Sequence, residues 1–173
     1  MIINTLGPIA TDSYQAAKQY QQKHKNIAIK LHHDFMDILV HLNLYEGELL
    51  LIPMAYQNEN GKSLGDFHYQ MIENMKLIDC FLTDLDPLVV LKNHSMAKFF
   101  YTHPATLKIA QCYNEDLKIK LVSSKFAAFQ NYLKNGRMVI TNQKNVKRLK
   151  PDEEIIKIIH SKMSWCVYQI GGN

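Results

Sequence analysis

The chain has 173 residues, enough for one domain with a sizeable core or two small lobes sharing one, and too few for two full domains. With 47% hydrophobic and 21% charged residues, seven Gly and five Pro, it reads as a folded globular protein, not a disordered or fibrous one. The net charge of +4 is mild. Its densest basic run, Lys144 to Lys150, is followed at once by Asp152, Glu153 and Glu154, so it is no sustained nucleic-acid footprint. A mild positive balance suits a small anionic ligand instead.

The opening "MIINTLGPIA" lacks a basic stretch before a long apolar run, and no segment reaches the roughly 18 apolar residues of a spanning helix. Secretion and membrane association are therefore not expected. Cys80, Cys112 and Cys166 are odd in number, far apart and without a Cys-x-x-Cys pair, and read as buried thiols of a reducing cytoplasm.

In chain order the pattern begins with a strand, "MIINT", a break at Gly7-Pro8 and a helix from about Ser13. The strand "IAIKL", a helix from about Asp34 and the strand "LLLIP" follow. Ala55 to Asp66 is the most polar, turn-rich stretch and reads as a loop. "KLIDCFLTDLDPLVVLK" gives two strands joined near Asp84 to Pro87, a passage from one lobe to another. The second alternation runs "FFYTH", a helix from Pro104, "LKIKLV", a helix from about Ser124 closed by Gly136, "RMVIT", and a basic helix to Leu149 with a solvated face. "EEIIKIIHSKMSWCVYQI" supplies two strands that return to the first lobe. Strand–helix alternation of this kind predicts an α/β fold of two lobes, each a mostly parallel sheet flanked by helices. Lobe one takes about residues 1–85 plus 150–173, and lobe two about 86–149.

Three junctions repeat one arrangement, a strand end, small or hydroxyl residues, then a helix: Gly7 to Ser13, Thr102 to Thr106, and Ser123-Ser124 before "KFAAFQ". Helix N-termini carry unpaired N–H groups and partial positive charge, so with hydroxyls beside them they can hold carboxylates or phosphates. Plain helix capping uses the same residues. In a two-lobe α/β protein such strand ends face a common cleft. His33, Asp37 and His41 are spaced to share a helix face as metal ligands, but Phe35, Ile38, Leu39 and Leu42 form the apolar stripe, which leaves them as solvent-facing polar residues. Met71 and Met75 read as core filling. No Gly-rich phosphate loop, Ser-nucleophile elbow or Cys/His pair is present, and no metal or cofactor is expected.

Gly7, Pro8, Thr11, Ser13, Tyr14, Ala16 and Ala17 fit the Gly-Pro-x-Gly-Thr-x-Ser-Tyr-x-Ala-Ala opening of prephenate dehydratases. "FMDIL", "LLLIP", "THPATLKIAQC" and "SSKFAA" match further family stretches in order, so nearly the whole chain resembles that catalytic domain. Two places differ: Pro53-Met54-Ala55-Tyr56-Gln57 replaces Pro-Ile-Glu-Asn-Ser, and Met163-Ser164-Trp165 replaces the catalytic Thr-Arg-Phe. Both resemble the prephenate decarboxylase branch of the bacilysin-pathway type, as does "VITN" ending at Asn142, whereas Ile9-Ala10 departs from the Glu-Gly usual in both branches.

The resemblance implies a single catalytic domain of two lobes of the periplasmic-binding-protein type II, with prephenate as substrate, no ACT domain and no cofactor. It implies a cytoplasmic enzyme of antibiotic or secondary-metabolite synthesis, with no nucleic-acid or membrane partner, and it is compatible with a homodimer. Thr11 and Ser13, with N–H groups near Gly7 and Pro8, would anchor one carboxylate. Ser123, Ser124 and the helix after Thr102-His103-Pro104 would hold the other end, with His103 as candidate acid. Ala55, Tyr56, Asn142, Met163, Ser164 and Trp165 complete the expected substrate contacts. Because Met163 has no proton to donate, CO2 could leave while the ring hydroxyl stays, giving a dihydro-4-hydroxyphenylpyruvate. Dehydration to phenylpyruvate and non-catalytic binding of an aromatic keto acid are the alternatives.

Overall fold

The computed structural model describes residues 1–122 and 124–171, so the expectation for Ser123 lies outside the described residues. The chain folds as two units. The first takes residues 1–85 and the chain from Lys162 onward, and the second takes Asp86–Ser161.

In the first unit, β1 (Ile2–Leu6) pairs in parallel with β2 (Ala28–His32) and β3 (Leu49–Pro53), and β10 (Lys162–Ile170) runs antiparallel between β3 and the edge strand β4 (Met75–Asp84). β3 lies inside the sheet, so its run Leu49, Leu50, Leu51 and Ile52 is buried on both faces. One face is covered by α1 (Asp12–Lys23), which presses Ala16, Ala17 and Tyr20 onto Ile3, Leu51 and Trp165. The other is covered by α2 (Phe35–Leu39) and α3 (Leu64–Gln70), whose Phe35, Ile38, Leu64 and Phe67 meet Leu50, Ile52 and Tyr168.

The second unit repeats the plan. β6 (Phe99–Thr102) lies parallel to β7 (Lys118–Leu121) and β8 (Met138–Asn142), and β5 (Leu88–Asn93) runs antiparallel between β8 and β9 (Glu153–Ile159). α4 (Leu107–Cys112), entered through a 3-10 turn at Pro104–Thr106, packs Ala110 onto Phe100, Met138 and Ile140. α5 (Lys125–Asn135) packs Ala128 and Tyr132 onto Leu91, Tyr101 and Val139. It ends at Gly136, where any Cβ would fall 2.6 Å from the Tyr132 Cα, so the close approach admits only glycine.

The two-unit α/β architecture is the fold class expected, with four differences in detail. Each sheet is mixed, a parallel trio extended by two antiparallel strands, because strands that leave and re-enter a unit pair antiparallel. The chain returns to the first unit at Lys162, not near residue 150, since β9 pairs with β5. The basic segment after β8 is no helix: a 3-10 turn spans Gln143–Asn145 and Lys147 to Lys150 is irregular. It offers only Val146 and Leu149 as apolar residues before Pro151, too few for a stripe. The polar loop ends at Ser63, where Ser63 and Asp66 form a reciprocal capping box that starts α3.

The cysteines also depart from expectation: Cys166 is buried, Cys80 and Cys112 are exposed, and β4 and β10 bring Cys80 opposite Cys166. α2 is too short to carry both His33 and His41, all three polar residues of that stripe are exposed, and no group of three His, Cys, Asp or Glu among the described residues could hold a metal. Met75 is buried in the first unit's core and Met71 packs against it. No helix among the described residues is long and apolar enough to cross a membrane.

Candidate functional site

The first junction lies between β1 and α1. Gly7 sits against β2, donating its N–H to the His32 carbonyl at 2.8 Å. The Thr11 hydroxyl accepts from the Tyr14 N–H at 3.2 Å, and its one proton is shared between the Leu6 and Pro8 carbonyls at 3.0 and 2.9 Å. Thr11 is thus fully committed to capping α1 and folding its own loop. Ser13 differs. It is only 6% exposed, and its hydroxyl has no partner among the described residues. Ile9, which departs from the family pattern, projects into solvent with 62% of its surface exposed.

The expected contacts after β3 and on β10 divide between environments. The Tyr56 ring packs on Phe35 and Phe67 at centroid distances of 5.1 and 6.0 Å, while its hydroxyl is buried with no hydrogen-bond partner among the described residues. Burial and the charge of Asp34 both raise its pKa. It lines a cavity of about 350 Å³ with Asp34, Met36, Gln57, Asn58 and Glu59. The two carboxylates there make it unsuited to an anion. Ala55 is exposed in the loop beside it.

On β10 the period of two separates the expected triplet. Met163 and Trp165 face the α1-side core, whereas Ser164 points to the face of Cys166 and Tyr168. Trp165 is 2% exposed and donates its Nε1–H to Thr83 Oγ1 at 2.8 Å, so its side chain serves the core. Trp165 is therefore a core residue and not the substrate contact expected of it.

The second unit's junctions have a different balance. At the end of β6, the Thr102 and Thr106 hydroxyls meet at 2.8 Å, and Thr106 donates to the His103 carbonyl at 3.0 Å. His103 Nδ1 accepts the Ala105 N–H at 3.2 Å, capping the turn that Pro104 opens. Nδ1 is therefore unprotonated and the neutral ring carries its proton on Nε2. Burial first, then the nearby Lys125 charge, lowers the His103 pKa, which favours that neutral form. The Ser124 hydroxyl accepts from the Ala127 N–H at 3.0 Å as cap of α5, and its own proton has no acceptor among the described residues. Asn142, at the end of β8, is 7% exposed and makes no side-chain capping bond.

Lys125 was not among the expected site residues. Its signal was nevertheless in the sequence: a lysine at the first position of a helix opposes the helix dipole, an arrangement that an anion would offset. His103 Nε2–H, the Ser124 hydroxyl and the Lys125 ammonium give the second unit a set of donors suited to a carboxylate.

No protein-family profile and no curated protein matches the chain. Solved structures do. The prephenate dehydratase from Staphylococcus aureus subsp. aureus Mu50 aligns with the whole chain at 14% identity and a TM-score of 0.63, and the chain spans 67% of it. The prephenate dehydratase from Arthrobacter aurescens, in complex with L-Phe, also aligns with the whole chain, at 12% identity and a TM-score of 0.58, with 61% of that protein spanned. An ABC transporter protein from Parabacteroides distasonis aligns over 97% of the chain at 10% identity and a TM-score of 0.56, with 65% of it spanned. At these identities the likeness is one of fold: the chain has a periplasmic-binding-protein type II-like fold, shared by enzymes and binding domains.

Proposed function

We propose that this protein binds prephenate and removes its ring carboxylate as CO2 without aromatising the ring. The observation that carries this reading is Met163. It lies on β10 opposite Thr83, packed against the first unit's core, at the position where the resemblance to dehydratases aligns their catalytic threonine. A thioether cannot assist departure of a hydroxyl as water.

In the proposed reaction the bond from the ring to its carboxylate breaks and CO2 leaves. The electron pair enters the ring diene, a proton adds at another ring carbon, and the hydroxyl is retained. Ser13 and the N–H groups at the start of α1, beside Gly7 and Pro8, are assigned to one carboxylate. Ser124, Lys125 and His103 Nε2–H are assigned to the other end, near Thr102 and Asn142. Preorganised donors of this kind are worth about 100- to 1000-fold each where charge develops. With Nδ1 occupied, His103 is assigned the role of hydrogen-bond donor. Ala55 and Ser164 are assigned to the wall of the site; Tyr56, which lines the acidic cavity with Asp34 and Glu59, is not.

One observation favours a second reading, a binding protein without turnover: Thr11, His103 Nδ1 and Ser124 Oγ all serve as caps. Incubation with prephenate separates the readings. CO2 release without phenylpyruvate supports the decarboxylase, and phenylpyruvate overturns it in favour of a dehydratase. Saturable binding by calorimetry with no turnover establishes the binding protein.

A further inference from the structure

β4 is the edge strand of the first sheet, and among the described residues it is hydrogen-bonded to β10 alone. In that pairing Cys80 stands directly opposite Cys166, and the Cys80 thiol donates to Cys166 Sγ at 3.8 Å. Opposed residues of antiparallel strands hold their Cα atoms about 4.5–5.5 Å apart. That lies inside the roughly 4.4–6.8 Å window of protein disulfides. Their side chains leave the sheet on the same face, so the sulfurs can close from 3.8 Å to a bond of about 2.0 Å by side-chain rotation. Cys80 is exposed and Cys166 is buried beneath it.

We propose that Cys80 and Cys166 form an oxidisable thiol pair, which a hydroperoxide converts to a disulfide stapling β4 to β10. The Cys80 thiolate attacks the peroxide oxygen and the O–O bond breaks. The peroxide is reduced by two electrons to water or an alcohol, and Cys80 becomes a sulfenic acid. The Cys166 sulfur then attacks the Cys80 sulfur, its thiol proton joins the departing hydroxide, and water leaves. Burial and the Cys80 sulfur push the Cys166 thiol up to about 12, so the first attack falls to Cys80.

The position gives the bond a consequence. Cys80 lies shortly before the chain leaves the first unit at Leu85, and Cys166 shortly after it re-enters at Lys162. A crosslink there closes a loop containing the whole second unit and prevents the edge strand from peeling away, which raises thermal stability.

The full chain, with its three thiols reduced, is treated with a slight excess of hydrogen peroxide; thiols are then counted in denaturant and tryptic peptides mapped. The count is expected to fall from three to one, with the Cys80 and Cys166 peptides joined, and dithiothreitol is expected to restore it. The Cys112→Ser variant is expected to go from two thiols to none, with an upward shift in Tm on oxidation. Cys80→Ser is expected to form no link to Cys166. Recovery of Cys166 as a free thiol while Cys80 proceeds to the sulfinic acid would overturn the proposal, as would links through Cys112 alone. The peptide map of the unsubstituted protein decides this even where a variant folds poorly.

Discussion

At the end of β1, Thr11 gives its lone pair to the Tyr14 N–H and its proton to the carbonyls of its own loop. At the end of β6 and the start of α5, His103 and Ser124 give only acceptors, so Nε2–H and the serine proton remain. The lesson is that capping and anion binding draw on opposite sides of the same group. A cap consumes a lone pair, whereas an anion needs a proton. A capping residue can therefore also bind an anion, provided that its proton is not drawn into its own loop.

The largest test of this contrast removes a side chain that the structure assigns to neither task. Trp165→Ala should cost about 3–5 kcal/mol by opening a core cavity, and it also strands the Thr83 hydroxyl. Urea unfolding measures the loss, and amide exchange should show β3 and β10 losing protection while β5 and β8 keep theirs. An unchanged urea midpoint with impaired substrate handling would instead return Trp165 to the site.

Thr11→Val should cost about 1–2 kcal/mol, since cap and loop clamp go together. Its effect on carboxylate binding should be small, because no Thr11 proton is free. Ser124→Ala inverts that pattern. The stability cost is expected at about 1 kcal/mol, but binding of prephenate should weaken by roughly 10-fold through the lost charge-assisted bond. Calorimetry on both variants breaks the contrast if Thr11→Val proves the worse binder.

The smallest expected effect concerns pH. Burial, with a nearby lysine, lowers the pKa of His32 in the first unit and of His103 in the second. The unfolded chain therefore binds more protons below about 6.5, so their stability contribution is present above that value and is lost as pH falls through the folded pKa. NMR titration should place both midpoints below about 6.5. Protonation removes the Nδ1 acceptor that caps the second unit's turn. His32 can donate Nε2–H to Asn4 Oδ1, at 2.7 Å, in either charge state. His103→Asn, which keeps a capping oxygen, should flatten part of the fall in urea midpoint between pH 7 and 5 if the cap matters; no change would remove His103 from that account.

Local pattern made the alternating elements, the caps Thr11, Asp34 and Ser124, and the terminal Gly136 legible in the sequence, because capping and periodicity act within a few residues. The site was legible only as residue types at three junctions. Whether Thr11 or Ser124 keeps a proton depends on carbonyls that the loop brings near, and no spacing rule reports that. The same holds for Met163-Ser164-Trp165, read as one motif although the strand sends Ser164 to the opposite face.

Apart from the helix expected over the basic segment to Leu149, the order of strands and helices, and the residues able to start and stop them, were therefore decided by the chain itself. Tertiary structure alone decided that β9 joins the second sheet, that Trp165 is core, and that Cys80 meets Cys166 across 86 positions of sequence. Pairing between distant strands is set by which faces must be buried together, a property of the assembled sheet that no local window contains.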